Sequence, residues 1–220
     1  MKFIAAFALA AGFAAAGTHH PPPDLTSGHI LSRIAFDQLT WGSRLAPAAV
    51  VERQANGACF VIGNQVLPKE TSDIAAQLRN RVTCETSRTT IAGVPDVSSG
   101  GVTFSSINFA TSSKTPLEFA LERFATPTPL RNADLATFQR QLDVYLATEA
   151  GIRSVGGSLA IKVPKFFLQF QVSRIQTAQG NPPTAPGAQV DHLLDKVLKN
   201  SPRESQALRD QVTALAKVLS

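Results

Sequence analysis

The chain has 220 residues and a net charge of +5, from 21 basic and 16 acidic residues, with two cysteines and four histidines. This length is enough for one domain with a sizeable core and a leader in front of it. The positive charge is mild and scattered in single residues without interleaved aromatics. It therefore excludes the usual pattern of a nucleic-acid-binding surface.

The N-terminus predicts a secretory signal peptide over residues 1–16. Lys2 supplies a short positive region, and the apolar run that follows it, residues 3–16, ends in the small residue Ala16, which suits signal peptidase. A membrane span needs roughly twenty apolar residues. The most apolar later stretch, residues 159–175, is interrupted by two lysines and a proline. We therefore expect a secreted, extracellular protein with no stable membrane span.

The next segment, residues 17–54, predicts a disordered pro-segment. It opens with His and Pro residues, shows no sustained periodicity, and closes on VERQ, where Arg53 is a processing-type residue. Residues 17–44 separate the Ala-rich leader from a second leader-like ending, LAPA at residues 45–48. Our hypothesis is that residues 17–44 come from a retained intron or a gene-model error. The alternative is a genuine, longer disordered pro-region.

Three motifs after residue 54 carry a family resemblance: NGACFVIGNQVLP, IAGVPDVSSGGVTFSSINF and EAGIRSVGGSLAIKVPKFFLQFQVSRIQTAQGNPP. In these motifs the sequence resembles an uncharacterised family of small secreted proteins of filamentous fungi. The resemblance covers residues 55–220 and implies a single secreted domain of unknown function. Because the family has no established activity, the resemblance implies no catalytic residue.

Both cysteines lie in the region after the leader. In a secreted protein an even pair such as Cys59 and Cys84 predicts a disulfide. Two buried free thiols are the alternative.

The first part of this region predicts a small β portion. Residues 59–67 are rich in β-forming residues and are expected to form a strand, and Ser72 is expected to cap a helix that ends before Cys84. Residues 89–94 and 102–109 are expected to form two more strands around the turn PDVSSGG. In the second of these strands the apolar alternation slips, which indicates a bulge or a short break.

From Thr115 onward the pattern predicts helices. Thr115 begins a capping box with proline at the first helical position. Asn132 is expected to cap a longer helix that ends at Gly151. Residues 159–178 fit either a helix or a strand, and their length favours a helix, central because it is apolar nearly all round.

Two further amphipathic helices are predicted near the C-terminus. Val190 begins one, and a second capping box starting at Ser201 is expected to open the last. The predicted fold class is α+β and mostly helical, with a small N-terminal β portion followed by a helical bundle and one disulfide.

Two features could carry chemistry or ligand binding. Glu118 and Glu122 lie one helical turn apart, and a pair of carboxylates is what a glycosidase-type hydrolase needs. The alternative is a solvated helix face. Gly156 and Gly157 precede a predicted helix and could expose amides to an anion near Arg153. The alternative there is a turn that lets two helices pack closely.

The sequence predicts no metal site and no cofactor. His192 is the only histidine after the leader region, and its neighbours lack the spacing of a catalytic triad. A surface histidine on a helix is the simpler interpretation. The cluster His19, His20 and His29 lies in the pro-segment, where such tracts are mostly incidental.

Function is therefore predicted only by class. We expect a secreted, non-enzymatic binding domain whose partner is an unknown extracellular ligand or protein. One alternative is a secreted hydrolase that uses paired carboxylates. Another is a lipid-binding or membrane-active protein, suggested by the apolar stretch 159–175, for which core packing is the competing interpretation.

Overall fold

The computed structural model describes residues 57–220. The predicted signal peptide (1–16), the pro-segment (17–54), the intron hypothesis (17–44) and the processing residues Ala16 and Arg53 all lie outside the described residues. Within 57–220 the fold is α+β and mostly helical, as predicted. The helices are α1 (Lys69–Leu78), α2 (Pro116–Arg123), α3 (Leu135–Ser154), α4 (Lys162–Ala178), α5 (Val190–Asn200) and α6 (Gln206–Ala216).

The β portion is one small antiparallel sheet. Its strands pair in the order β1 (Thr83–Thr89), β2 (Pro95–Ser99) and β3 (Val102–Thr103). The sheet packs on α3, which also contacts α1 and α4, and α4 in turn packs against α2 and α5. Helix α3 therefore links the sheet and α1 to α4, and α4 links α3 to α2 and α5.

Helix α4 resolves the ambiguous apolar stretch in favour of a helix. Phe167 and Phe170 are fully buried, with ring centroids 6.0 Å apart, and belong to the hydrophobic core. A helix with apolar residues nearly all round is expected to be buried in this way. Within residues 57–220 no helix is both long and apolar enough to cross a membrane.

The strand predicted over residues 59–67 is wrong. This segment is irregular because its amides bind the end of α3 instead of another strand. The backbone N–H groups of Ile62 and Gly63 donate to Ser154 Oγ at 3.2 and 3.0 Å, and Gln65 N–H donates to Ser154 O at 2.9 Å. A Cβ at Gly63 would lie 2.0 Å from Ser154 O, so only glycine permits this approach.

The other two predicted strands are also corrected. The first five residues of the predicted turn PDVSSGG form β2, and only its two glycines lie in a turn. Residues 91–93, which were predicted to be part of a strand, form a 3₁₀ turn. The strand predicted over 102–109 stops at Thr103, where the alternation slips. Phe104 and Ile107 are then both buried at a spacing of three, which a 3₁₀ turn satisfies and a strand does not.

The cap predicted for α2 is confirmed, whereas the one for α3 is wrong. Thr115 Oγ1 accepts the N–H of Glu118 at 3.4 Å, and proline is the first residue of α2. For α3 the cap is Asp134, whose carboxylate accepts the N–H of Thr137 at 3.2 Å, instead of Asn132. Asp134 stands three residues before its amide partner, as capping requires.

Gly151 does not end α3, contrary to the prediction. The helix continues to Ser154, and Gly151 is buried inside it. A Cβ at this position would lie 2.5 Å from Phe60 O and 2.7 Å from Val94 Cγ1. The glycine therefore allows the N-terminal segment and Val94, the residue before β2, to lie directly on the helix.

The capping box predicted at Ser201 is wrong as well. Ser201 Oγ donates to Val197 O at 2.7 Å and so belongs to the end of α5, whereas Ser205 caps α6. Glu204, the acid of the predicted box, instead accepts the N–H of Leu117 at 3.0 Å. This carboxylate thus satisfies an amide in the first turn of α2, far away in the sequence.

The start of α1 also differs from its prediction. Ser72 lies inside the helix, which begins at Lys69 directly after Pro68. Val82, predicted to share the apolar face of this helix, lies beyond its end and is still buried. Proline before the first turn fixes φ and donates no N–H, which explains the earlier start.

The predicted disulfide between Cys59 and Cys84 is confirmed. It joins the irregular N-terminal segment to β1. A second link between distant parts of the fold is the buried carboxylate of Asp143 on α3, which accepts hydrogen bonds from Arg81 at 2.8 Å and from Ser99 Oγ at 3.1 Å. Burial raises the pKa of Asp143, while Arg81 and Ser99 act in the opposite direction.

Candidate functional site

The candidate site is a cleft of about 500 Å³ between α1, α3, α4 and α5. We call it the basic cleft, because six basic side chains line it: Arg153, Lys162, Lys165, His192, Lys196 and Lys199. Only two carboxylates line it, those of Glu70 and Glu149. The cleft thus carries an excess of positive charge.

The floor of the basic cleft is a buried ionic triad, Glu149, Arg153 and Lys165. Arg153 Nε and one of its terminal nitrogens donate to Glu149 Oε1 at 2.9 and 2.8 Å. Lys165 Nζ lies 2.7 Å from Glu149 Oε2. The side chains of Glu149 and Lys165 are only 5% and 10% exposed. One carboxylate therefore faces two cations, the buried Lys165 and the half-buried Arg153.

Local structure brings the triad together. Glu149 and Arg153 are four residues apart on α3, so they share a helix face. Lys165 comes from the first turn of α4, where Phe166 lies beside it with its ring centroid 3.9 Å from Lys165 Nζ. Packing of α4 on α3 then places the amine on the second carboxylate oxygen.

The surroundings of Lys165 at the floor of the cleft change the pKa of its side-chain amine. Burial lowers the pKa of the Lys165 ammonium, Glu149 opposes this effect, and the positive charges of Arg153 and Lys162 lower the pKa further. A lysine with a lowered pKa inside a cleft is a candidate functional group, because desolvation and like charges favour its neutral, nucleophilic form.

The rim of the basic cleft carries three further lysines, Lys162, Lys196 and Lys199. They are less buried than the floor, and within residues 57–220 none of the three takes part in an ion pair. Apolar side chains of Ile74, Phe166 and other residues complete the lining. The cleft thus combines a positive rim, a positive floor and apolar walls.

Two of the residues singled out from sequence lie in the basic cleft. Arg153 is part of the floor, and His192 lines the cleft as an exposed residue of α5. Gly156 and Gly157 do not line it. Their N–H groups donate to Arg153 O at 3.1 Å and Ile152 O at 2.9 Å, so the end of α3 already uses these amides.

The paired acids lie elsewhere. Glu118 and Glu122 are both on α2, and neither lines the basic cleft. Glu122 is exposed and forms an ion pair with Lys114. Within the described residues no group of three or more His, Cys, Asp or Glu side chains could hold a metal ion, and the histidine cluster of the pro-segment lies outside them.

Sequence reasoning missed the residues that make the floor, Glu149 and Lys165. Two signals were available. Lys165 is a charge inside the apolar stretch that becomes the buried helix α4, and Glu149 stands four residues before Arg153 on a helix that turned out to be mostly buried. Buried charges are normally paired, so each implied a partner.

The fold and the cleft define a mostly helical α+β domain with one disulfide and a basic ligand-sized cleft. The chain belongs to the family described as domain of unknown function DUF7143, whose model matches residues 61–220. No curated protein and no solved structure was found to match the chain. The predicted membership of a family of unknown function is therefore confirmed.

Proposed function

We propose that this protein is a secreted, non-enzymatic domain that binds an acidic ligand in the basic cleft. The observation that carries this proposal is the charge of the floor, where Glu149 faces both Arg153 and Lys165. One positive charge remains uncompensated in a largely buried place. Uncompensated buried charge is unfavourable, so an anion that enters the cleft would be stabilised there.

The rim supports the same proposal. Lys162, Lys196 and Lys199 contribute positive potential at the mouth of a concave surface, where low-dielectric walls concentrate the field. Such attraction weakens as salt screens it over about 10 Å at 0.1 M ionic strength. Binding of an acidic ligand is therefore expected to weaken as salt is added.

Reversing the charge of two rim lysines should reduce anion binding. We expect Lys196→Glu/Lys199→Glu to weaken the binding of citrate or inorganic phosphate at least about tenfold, which corresponds to about 1.4 kcal/mol. Isothermal titration calorimetry at low salt measures the effect. The matched control is Arg203→Glu/Lys217→Glu, which changes the net charge equally at exposed positions outside the cleft.

The two double variants discriminate between outcomes. Equal weakening in both would mean that the anions respond only to the overall charge, and the proposed site would be wrong. Absence of binding of either anion to the unmodified protein at low salt would also contradict the proposal. Loss confined to the cleft variant supports it.

The alternative functions have less support. Glu118 and Glu122 lie on one helix outside the basic cleft. Glu122 lines a separate hollow of about 350 Å³ with Ser112, Lys114, Phe119 and Arg123, and none of these four is a second carboxylate. The hydrolase alternative thus stays a prediction without a facing carboxylate in that hollow. The apolar stretch behind the lipid-binding alternative supplies core residues such as Phe167 and Phe170.

We also propose that a filamentous fungus secretes this protein, after removal of a signal peptide at residues 1–16 and of a pro-segment that ends at Arg53. The disulfide supports this, since disulfides persist in oxidising compartments. N-terminal sequencing of protein from culture medium is expected to start at residue 54 or 55. A start at residue 17 would contradict cleavage at Arg53, and a transcript read across codons 17–44 tests the intron hypothesis.

A further inference from the structure

We propose that the basic cleft captures acidic aldehydes covalently, by forming an imine with the side-chain amine of Lys165. This inference rests on the anion-binding role proposed above and adds a covalent step to it. It assigns the ligand a chemical class: a small molecule with a phosphate or carboxylate group and a reactive aldehyde.

The position of Lys165 separates it from the other lysines. Its side chain lines the cleft but is only 10% exposed, whereas Lys69 is 85% exposed. The amine is held between Glu149 Oε2 at 2.7 Å and the ring of Phe166 at 3.9 Å. It is therefore a fixed nucleophile at the floor of a cleft that a ligand can enter.

The triad allows this amine to lose its proton. Arg153 alone compensates Glu149, through two hydrogen bonds to Oε1. The carboxylate thus stays paired when Lys165 becomes neutral, which would not hold for an isolated Lys–Glu pair. Burial lowers the pKa of Lys165 in the same sense. Neutral lysine in a desolvated, positively charged site is the form that attacks carbonyl groups.

The surrounding groups suit the acid function of such a ligand. The side chains that line the cleft around Lys165 are Glu70 of α1, Glu149 and Arg153 of α3, Lys162 of α4, and His192, Lys196 and Lys199 of α5. Cations outnumber carboxylates among them. A phosphate or carboxylate held by the rim lysines would leave the aldehyde carbon free to approach the amine of the floor.

The step balances without any added reagent. The ammonium of Lys165 passes one proton to solvent water, and the amine then attacks the aldehyde carbon while the C=O π electrons move to oxygen. A proton shift from nitrogen to oxygen forms the carbinolamine. A proton from solvent returns to the hydroxyl group, water leaves, and the nitrogen lone pair forms the C=N bond, while Glu149 stays paired with Arg153. Ammonium plus aldehyde therefore yields iminium plus water, and the positive charge of the floor is kept.

Borohydride trapping tests the inference. The full-length protein is incubated with pyridoxal 5′-phosphate, reduced with borohydride, digested and mapped by mass spectrometry. We expect modification of Lys165 to exceed that of the exposed Lys69 and Lys217, since Lys165 lies at the floor of a cleft that holds the phosphate of the probe. Added inorganic phosphate should suppress labelling of Lys165, and pyridoxal without its phosphate should label it less.

Two variants keep the net charge and separate chemistry from charge. Lys165→Arg should abolish the cleft adduct but still bind inorganic phosphate, whereas Lys217→Arg, at an exposed position outside the cleft, should keep the adduct. Labelling spread over exposed lysines, with Lys165 unlabelled, would overturn the inference. This outcome can be observed with the protein that carries no substitution. If phosphate still binds in that case, the proposed anion-binding function stands. If phosphate does not bind either, both proposals are wrong.

Discussion

Replacing Glu149 with glutamine is expected to lower the free energy of unfolding by about 3–5 kcal/mol. The change leaves the buried Lys165 and the half-buried Arg153 without a counter-charge, and breaking a buried ionic network by removing one partner is strongly destabilising. Urea denaturation followed by circular dichroism measures the loss as a lower transition midpoint at unchanged slope.

Glu70→Gln is the matched control for this variant. Glu70 lines the same cleft, but it is an exposed residue of α1. The Glu70→Gln variant should therefore have the same free energy of unfolding as the unmodified protein. If Glu149→Gln were as stable as Glu70→Gln, the floor would carry no uncompensated charge, and the argument for an anion site would lose its main support.

Removing the disulfide is the second change with a large expected effect. Cys59→Ala/Cys84→Ala should lose about 3.5 kcal/mol of stability in the chain-entropy model, since the bond closes a loop with a sequence separation of 25. The N-terminal segment should also exchange its amide hydrogens faster, first at Gly63 and Gln65, which donate to Ser154. Thermal unfolding and hydrogen exchange measure the two effects.

Reductant provides the control for the disulfide. Dithiothreitol should lower the melting temperature of the unmodified protein to that of the double variant and leave the double variant unchanged. A double variant with unchanged stability, or faster exchange spread over the whole domain instead of its N-terminal segment, would contradict this account of the disulfide.

The disulfide and the cleft are connected through α3. The N-terminal segment that Cys59 anchors binds Ser154, the residue directly after Arg153 of the floor. Gly63 and Gly151 make the close approach possible, because any side chain there would collide with Ser154 O or Phe60 O. The segment before α1 thus supports the helix that carries two of the three floor residues.

Several features of the fold were predictable because they depend on local sequence. A capping threonine followed by proline determines where α2 starts, whatever lies around it. The even cysteine pair predicted its bond. The length of the apolar stretch sufficed to distinguish a buried helix from a strand at α4. Together these signals predicted a mostly helical α+β domain with one disulfide.

Two of the incorrect predictions have the same cause, which is that distant partners override local preference. Residues 59–67 have the composition of a strand, but their amides are satisfied by Ser154, 92 residues after Ile62. Glu204 looked like part of a local capping box, yet it binds the amide of Leu117, 87 residues earlier. No sequence window contains both partners of such a contact.

The candidate site shows most clearly which features depend on local sequence and which depend on long-range packing. Sequence alone determined the fold class, the disulfide and the overall positive charge, since these follow from composition and local spacing. Only the tertiary structure decided that Arg153 and four lysines would line one cleft. Lys165 and Glu149 lie on different helices, and the packing of α4 on α3 is what places the amine 2.7 Å from the carboxylate. Long-range packing, which no local pattern encodes, therefore created the site.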